Sequence, residues 1–117
     1  MRRKDPVPKA PRHLRQATRQ WFEQVMQDFV LEPHHVRLLT LACEAWDRCQ
    51  QAREALHRHG LTFVDFHGSP KPRPEVAIER DSRLAYARLL RELQLDIAAP
   101  DEPPRAPALG RAGRAQR

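Results

Sequence analysis

The chain has 117 residues, among them 21 Lys or Arg and 15 Asp or Glu, and its formal net charge is +6. A chain of this length forms one domain at most, and unpaired apolar faces on so small a domain often indicate an oligomer. The sequence excludes a membrane-spanning helix, because no run of eighteen apolar residues occurs, and it contains none of the glycine-rich loops that bind phosphates.

The positive charge is concentrated at the two ends of the chain. Residues 1–12 carry five basic side chains and one acidic one, a net charge of +4, and residues 105–117 carry four Arg and no acid, again +4. The residues between them are nearly neutral, with a net charge of −2. Basic ends on a nearly neutral domain suit the binding of a polyanion, and they equally suit a role in solubility alone.

The chain begins with a charged, Pro-rich segment, residues 1–11, for which we predict a disordered N-terminal arm. Apolar residues at helical spacing then predict a first amphipathic helix that starts near Pro11 to His13 and ends at about Asp28. The apolar side of this helix contains Leu14, Trp21, Val25 and Phe29.

The longest predicted element is a helix from Pro33 to His59, with no Gly or Pro in its interior. Pro33 suits a first helical turn, where a backbone N–H is not needed, and Gly60 suits the left-handed cap that ends many helices. Glu32 precedes a proline and therefore avoids helical backbone angles, so we expect two separate helices. Their short connection predicts an antiparallel helical hairpin.

Apolar residues lie on two faces of this long helix. One stripe contains Leu38, Leu41, Ala42, Ala45, Cys49, Ala52 and Leu56, and the other contains Val36, Leu39, Cys43 and Trp46. A surface helix needs a single apolar stripe, so two stripes indicate two partners. Either both stripes are buried within one protomer, or the stripe of Val36, Leu39, Cys43 and Trp46 contacts a second copy of the chain.

Residues 61–66 are rich in strand formers, and the following His67-Gly68-Ser69-Pro70 is typical of a turn. Because prolines interrupt residues 71–74, that segment cannot form a central strand or the interior of a helix. We therefore expect a short extended arm, with at most an edge strand, that packs on a helix or on a neighbouring subunit.

A third amphipathic helix is predicted from about Glu75 to Leu95, with charged residues of alternating sign around its apolar stripe. From residue 98 onward Pro, Ala, Gly and Arg dominate, which predicts a C-terminal tail that does not order by itself. The sequence thus predicts an N-terminal arm over residues 1–11, a helical domain over residues 12–97 and a tail over residues 98–117.

The sequence indicates no catalytic centre, metal site or cofactor. It contains no Cys-x-x-Cys and no His-x-x-x-His spacing, so the ligand pattern of a zinc site is missing. Ser69 and Ser82 lie in no nucleophile motif. Cys43 and Cys49 lie on different faces of the long helix, and we expect reduced thiols that pack as small apolar groups. A role in binding or assembly is the interpretation that the sequence supports.

Candidate contacts to nucleic acid are the basic residues of the arm and of the first helix. These residues are Arg2, Arg3, Lys4, Lys9, Arg12, Arg15 and Arg19. The last three recur at three- and four-residue spacing, which predicts one helix face that could meet phosphates without reading bases. The alternative is an ordinary solvated face. A helix-turn-helix reader is not predicted, because no compact pair of short helices occurs.

The order of these elements resembles the small subunit of phage terminase, from double-stranded DNA phages and prophages. The first matching features are the basic, Pro-rich start from Pro6 to Pro11 and the helix with Leu14 and Trp21. The long helix then ends in Leu56-His57-Arg58-His59-Gly60, and a link runs from Gly68 to Pro74. The last matching feature is the Arg- and Leu-rich helix, which ends in Leu89 to Asp96. The resemblance covers roughly residues 6 to 104. The chain departs from it at Gln94, where the family usually has Gly, and in the Arg-rich tail from Arg105.

The resemblance implies a mainly α fold, with a helical hairpin, a third helix and a short extended arm, that assembles into an oligomeric ring. It implies a non-catalytic subunit that binds viral double-stranded DNA and regulates the terminase large subunit, which holds the ATPase and nuclease, in the host cytoplasm. Two stripes on the long helix suit ring closure, which needs a different face on each side of the protomer. The alternative is a small helical adaptor whose basic tails bind a partner protein or RNA.

Overall fold

A computed structural model of the chain describes residues 8–95. In chain order the elements are α1 (Gln16–Asp28), α2 (Pro33–His59), β1 (Thr62–Val64), β2 (Pro70–Pro72) and α3 (Pro74–Glu92). The predicted mainly α fold is therefore confirmed. The predictions for residues 1–7 of the N-terminal arm and for the tail from residue 98 lie outside the described residues.

Helix α2 begins and ends at the predicted residues, because both ends are set by local chemistry. Glu32 forms the N-cap, and its backbone N–H donates to Nδ1 of His35 at 3.3 Å. Gly60 follows the helix with a φ of +85°, a backbone angle that L side chains rarely adopt, and its N–H donates to the carbonyl of Leu56 at 2.7 Å.

Helix α1 begins at Gln16 and not near Pro11 to His13, so the predicted start is wrong by several residues. Residues 11–14 form a turn instead, in which the N–H of Leu14 donates to the carbonyl of Pro11 at 3.3 Å. Arg15 is the N-cap and has an extended backbone. Arg12 consequently lies outside the helix and does not continue a helical row with Arg15 and Arg19.

Residues 61–73 form an antiparallel β-hairpin, in which Thr62 pairs with Pro72 and Val64 with Pro70. The predicted extended arm, with at most an edge strand, is therefore a two-stranded ribbon, and β2 contains two prolines, which exclude a central strand. A two-stranded ribbon has only edge strands, so each proline can turn its nitrogen outward. In the connecting turn, Oδ1 of Asp65 accepts hydrogen bonds from the N–H groups of His67 and Ser69, both at 2.9 Å.

Helix α3 runs antiparallel to α2, as the contacts between the two helices show. Glu79 near the start of α3 bonds Arg53 near the end of α2, and Tyr86 in the middle of α3 contacts Trp46. Leu93 at the end of α3 shares the core with Leu39 near the start of α2.

The last turn of α3 ends three residues before the predicted Leu95. Gln94 has a φ of +60°, and its N–H donates to the carbonyl of Arg91 at 2.9 Å. The N–H of Leu95 donates to the carbonyl of Leu90 at 3.1 Å. This pair of bonds is the Schellman motif, whose left-handed residue is usually glycine. Leu95 then packs against the core.

The core lies between α1, the first half of α2 and the end of α3. Its buried residues are Leu14, Phe22, Val25, Met26, Leu39, Cys43 and Leu93. On α2, Ala42, Cys49 and Ala52 are also buried. Residues from both predicted stripes of α2 are thus covered within one protomer, because α2 contacts α1 and α3 alike.

Candidate functional site

The N-terminus of α1 is held against α2 by the carboxylate of Asp47, which is only 7% exposed. One oxygen of Asp47 accepts the backbone N–H of Arg15 at 2.8 Å, and the other accepts the hydroxyl of Thr18 at 2.5 Å. A carboxylate in this position satisfies free N–H groups of the helix and lies at the positive end of its dipole. Asp47 therefore caps α1 from another helix.

Arg15, one of the predicted DNA contacts, forms a bidentate ion pair with Glu54. Its two terminal nitrogens lie 2.7 and 2.8 Å from the two carboxylate oxygens. The hydrogen bond from Arg15 lowers the pKa of Glu54 below its ordinary value, and the same bond raises the pKa of Arg15. A phosphate would have to compete with this carboxylate for the guanidinium group.

The other predicted DNA contacts do not form a single row. Lys9 and Arg12 are exposed, whereas Arg19 is half-buried. Arg2, Arg3 and Lys4 lie outside the described residues. Ala10 packs against the core, and its N–H donates to Glu23 at 3.3 Å, which anchors the chain just before Arg12.

Two exposed basic side chains near the end of α3 were not singled out from the sequence. Arg88 and Arg91 are three residues apart, on one face of the helix, and form no ion pair with any described residue. The alternating charges of α3 indicated ion pairs along its whole length. Ion pairs such as that of Arg83 with Glu79 occur in its first half instead, at 3.3 Å.

The four residues predicted as an oligomer interface differ in exposure. Leu39 and Cys43 have no exposed surface, because they lie in the core with residues of α1 and with Leu93, and burial raises the pKa of the Cys43 thiol to about 12. Val36 is half-buried against the same core, and Trp46 is 38% exposed. An interface with a second copy therefore has to be built from residues other than Leu39 and Cys43.

An aromatic cleft lies where the three helices meet, and we define it by Trp21, Trp46 and Tyr86. The ring centroids of Trp46 and Tyr86 are 5.1 Å apart and those of Trp21 and Tyr86 are 6.3 Å apart, both in tilted arrangements. Ala17 and Thr18 complete the lining, and the open cleft has a volume of about 210 Å³. Burial raises the pKa of the Tyr86 hydroxyl.

The β-hairpin presents a second apolar surface, which we call the hairpin surface. Its exposed side chains are Leu61, Phe63, Val64 and Phe66. Phe66, at the turn, is 91% exposed and is the most exposed large apolar side chain among residues 8–95. Large apolar groups that are left open in this way indicate a binding surface.

No group of three or more His, Cys, Asp or Glu side chains within residues 8–95 is arranged to hold a metal ion. None of the described helices is long and apolar enough to cross a membrane. The features that stand out in this part of the chain are an open aromatic cleft, a protruding apolar hairpin and unpaired arginines at the end of α3.

These features define a small helical protein with an open aromatic cleft and an exposed apolar hairpin. A sequence model of the phage terminase small subunit family matches residues 15–104, a range that includes all three helices and the hairpin. The chain belongs to this family, as its resemblance predicted. Neither the curated proteins nor the solved structures contain a match to the chain. Membership gives the chain a role in phage DNA packaging within the host cell.

Proposed function

We propose that this chain is the non-catalytic terminase subunit that oligomerises, binds viral double-stranded DNA and regulates the large subunit in the host cytoplasm. The observation that carries the proposal is the family match over residues 15–104. The alternative of a small adaptor for a protein or RNA has no comparable support. A ring, which is the form of oligomer that we propose, would bring the basic surfaces of many protomers together around one duplex.

For the DNA contacts, we propose that Arg88 and Arg91 join the N-terminal basic residues. Both are exposed and have no carboxylate partner within residues 8–95, so binding a phosphate breaks no internal ion pair. Lys9 and Arg12 meet the same condition. Arg15 contributes to DNA binding only where a phosphate replaces the Glu54 carboxylate as its partner. Contacts of this kind give affinity without reading the base sequence.

The test is the salt dependence of binding to a fluorescent duplex, measured by anisotropy. Log K falls as log salt rises, and each lost phosphate contact reduces the steepness of this fall by roughly 0.9. We expect the double variant Arg88→Ala/Arg91→Ala to bind more weakly with a shallower slope. The matched control is Arg80→Ala/Arg83→Ala, on the same helix, whose side chains are already paired with Asp81 and Glu79. Equal slopes for both double variants would rule out this face of α3 as the DNA contact.

Regulation of the large subunit is tested separately, with the large subunit's ATPase rate measured with and without this chain. We expect the rate to change at a fixed ratio of the two proteins and the chain alone to hydrolyse no ATP. An unchanged rate in the presence of DNA would contradict the regulatory part of the proposal.

A further inference from the structure

The tip of the hairpin surface is held in a fixed shape and is open to solvent. Two hydrogen bonds to Asp65 fix the turn, and the ring of Phe66 lies 4.0 Å from that of His67 between centroids. Phe63 and Val64 are also exposed, but they lie on opposite faces of the hairpin, because successive strand side chains alternate. A buried Phe side chain covers on the order of 200 Å², about a quarter of the roughly 800 Å² that each partner buries in a standard interface, so Phe66 can anchor such a contact without forming all of it.

The aromatic cleft has the size and chemistry to accept a phenyl ring. Its volume is about 210 Å³, and three of its five lining residues are the aromatic Trp21, Trp46 and Tyr86. An apolar cavity of roughly 150 Å³ suffices to bind benzene. The tilted rings offer both faces and edges, which suits the edge-to-face contacts that aromatic groups prefer.

The hairpin of one protomer does not reach its own cleft. Trp46 lies fourteen residues before Gly60, which corresponds to about 21 Å along α2. The hairpin follows Gly60 in the chain, and its Phe66 is 91% exposed, so the ring does not occupy the cleft of its own protomer. Phe66 can therefore fill such a cleft only on a second copy of the chain.

We propose that the Phe66 ring of one copy inserts into the cleft formed by Trp21, Trp46 and Tyr86 of the next copy. The two surfaces are different parts of the same molecule, so the contact is heterologous and repeats from copy to copy. Depending on the rotation between copies, such a contact closes into a ring or continues as a filament. This inference rests on the oligomerisation that we propose above and names the surfaces that produce it.

The first test is the mass of the full chain in solution, measured by size-exclusion chromatography with light scattering. We expect the unmodified chain to elute at a multiple of 13.6 kDa and the Phe66→Ala variant at 13.6 kDa. Phe29→Ala is the matched control, because Phe29 is also an exposed phenylalanine but lies in the connection between α1 and α2. It should keep the mass of the unmodified chain.

A mixing experiment tests whether the contact is heterologous. Ala17 is exposed and lines the cleft, so Ala17→Trp fills the cleft without disturbing the core. Alone, Ala17→Trp and Phe66→Ala should each be monomeric, with helix content unchanged by circular dichroism. Mixed in equal amounts, they should form a dimer, because one supplies an intact hairpin and the other an intact cleft. A mixture that stays monomeric would overturn the proposed contact.

A cross-link gives an independent measurement that does not depend on weakening the assembly. The double variant Ala17→Cys/His67→Cys keeps the Phe66 ring and places a thiol on the exposed residue beside it. It should form a ladder of disulfide-linked copies under mild oxidation, whereas each single variant should not. The native Cys43 and Cys49 are buried and do not compete. An oligomeric double variant without a ladder would overturn the contact between hairpin and cleft.

The two proposals fail in different ways. If the unmodified chain is a monomer at all concentrations, the oligomerisation in the proposed function is wrong. If the unmodified chain is an oligomer whose mass survives both Phe66→Ala and Ala17→Trp, the contact proposed here is wrong and the proposed function stands.

Discussion

The carboxylate of Asp47 offers the sharpest test of how α1 is attached to α2. In the Asp47→Ala variant, the N–H of Arg15 and the hydroxyl of Thr18 both lose their acceptor at a site where Asp47 is only 7% exposed. A buried donor left without a partner costs about 1–3 kcal/mol. The Thr18 hydroxyl can rotate toward a carbonyl of its own helix, so we expect a total loss of about 2–4 kcal/mol in the free energy of unfolding.

The assay is thermal and urea unfolding followed by circular dichroism at one fixed protein concentration, because oligomerisation makes stability depend on concentration. A loss of this size lowers the Tm by roughly 10–20 °C in a domain of this length. The matched control is Glu44→Ala, which removes another carboxylate of α2 that faces the start of α1. Its partner is His13 at 2.8 Å in an exposed pair, so we expect a loss of no more than about 0.5 kcal/mol.

A double-mutant cycle separates the two bonds of Asp47. Thr18→Val keeps the shape of the side chain and removes its hydroxyl, and we expect a coupling energy with Asp47→Ala of about 1 kcal/mol. If Asp47→Ala costs no more than Glu44→Ala, the interpretation of Asp47 as the cap of α1 is refuted.

Three further predictions concern single sites. Gln94→Gly should raise the free energy of unfolding by roughly 0.5–1 kcal/mol, measured by urea unfolding, because residue 94 has a φ of +60°; a loss of stability would contradict this reading. The hydrogen bond from Arg15 lowers the pKa of Glu54 in the folded chain, so the Glu54→Gln variant should differ in stability from the unmodified chain above a pH near 4.5. This difference should vanish as the pH falls through the folded-state pKa of Glu54, and a difference that persists at pH 2 would refute the prediction. The Cys43 thiol has a pKa raised to about 12, so it should not react with a thiol reagent at pH 8 until the chain unfolds. Mass spectrometry locates the label, and rapid labelling of Cys43 in the folded chain would contradict its burial.

The sequence alone predicted the bounds of those elements whose ends are set by neighbouring residues. Pro33 and Gly60 act on the backbone beside them, so the bounds of α2 were predicted correctly. The start of α1 was missed because Asp47, 32 residues away from Arg15, holds the chain there. The pairing of Arg15 with Glu54 spans 39 residues and carries no periodic signal.

The candidate binding surfaces were only partly predictable for a related reason. Periodicity identified two apolar stripes on α2, but it cannot tell which neighbour covers each one. In the structure, Leu39 and Cys43 of one stripe lie in a core that they share with residues of α1 and with Leu93. The aromatic cleft combines Trp21, Trp46 and Tyr86 from three helices, so no local pattern could have brought them together.

The antiparallel pairing of α2 and α3 ties the lengths of these helices to each other. The contacts of Trp46 with Tyr86 and of Arg53 with Glu79, together with the core that Leu39 and Leu93 share, keep one register along both helices. An extra turn inserted in α2 between Trp46 and Arg53 would shift every pair on one side of it, unless α3 gained a turn at the facing position. Insertions and deletions that homologous chains tolerate should therefore come in matched pairs, in steps of about one helical turn.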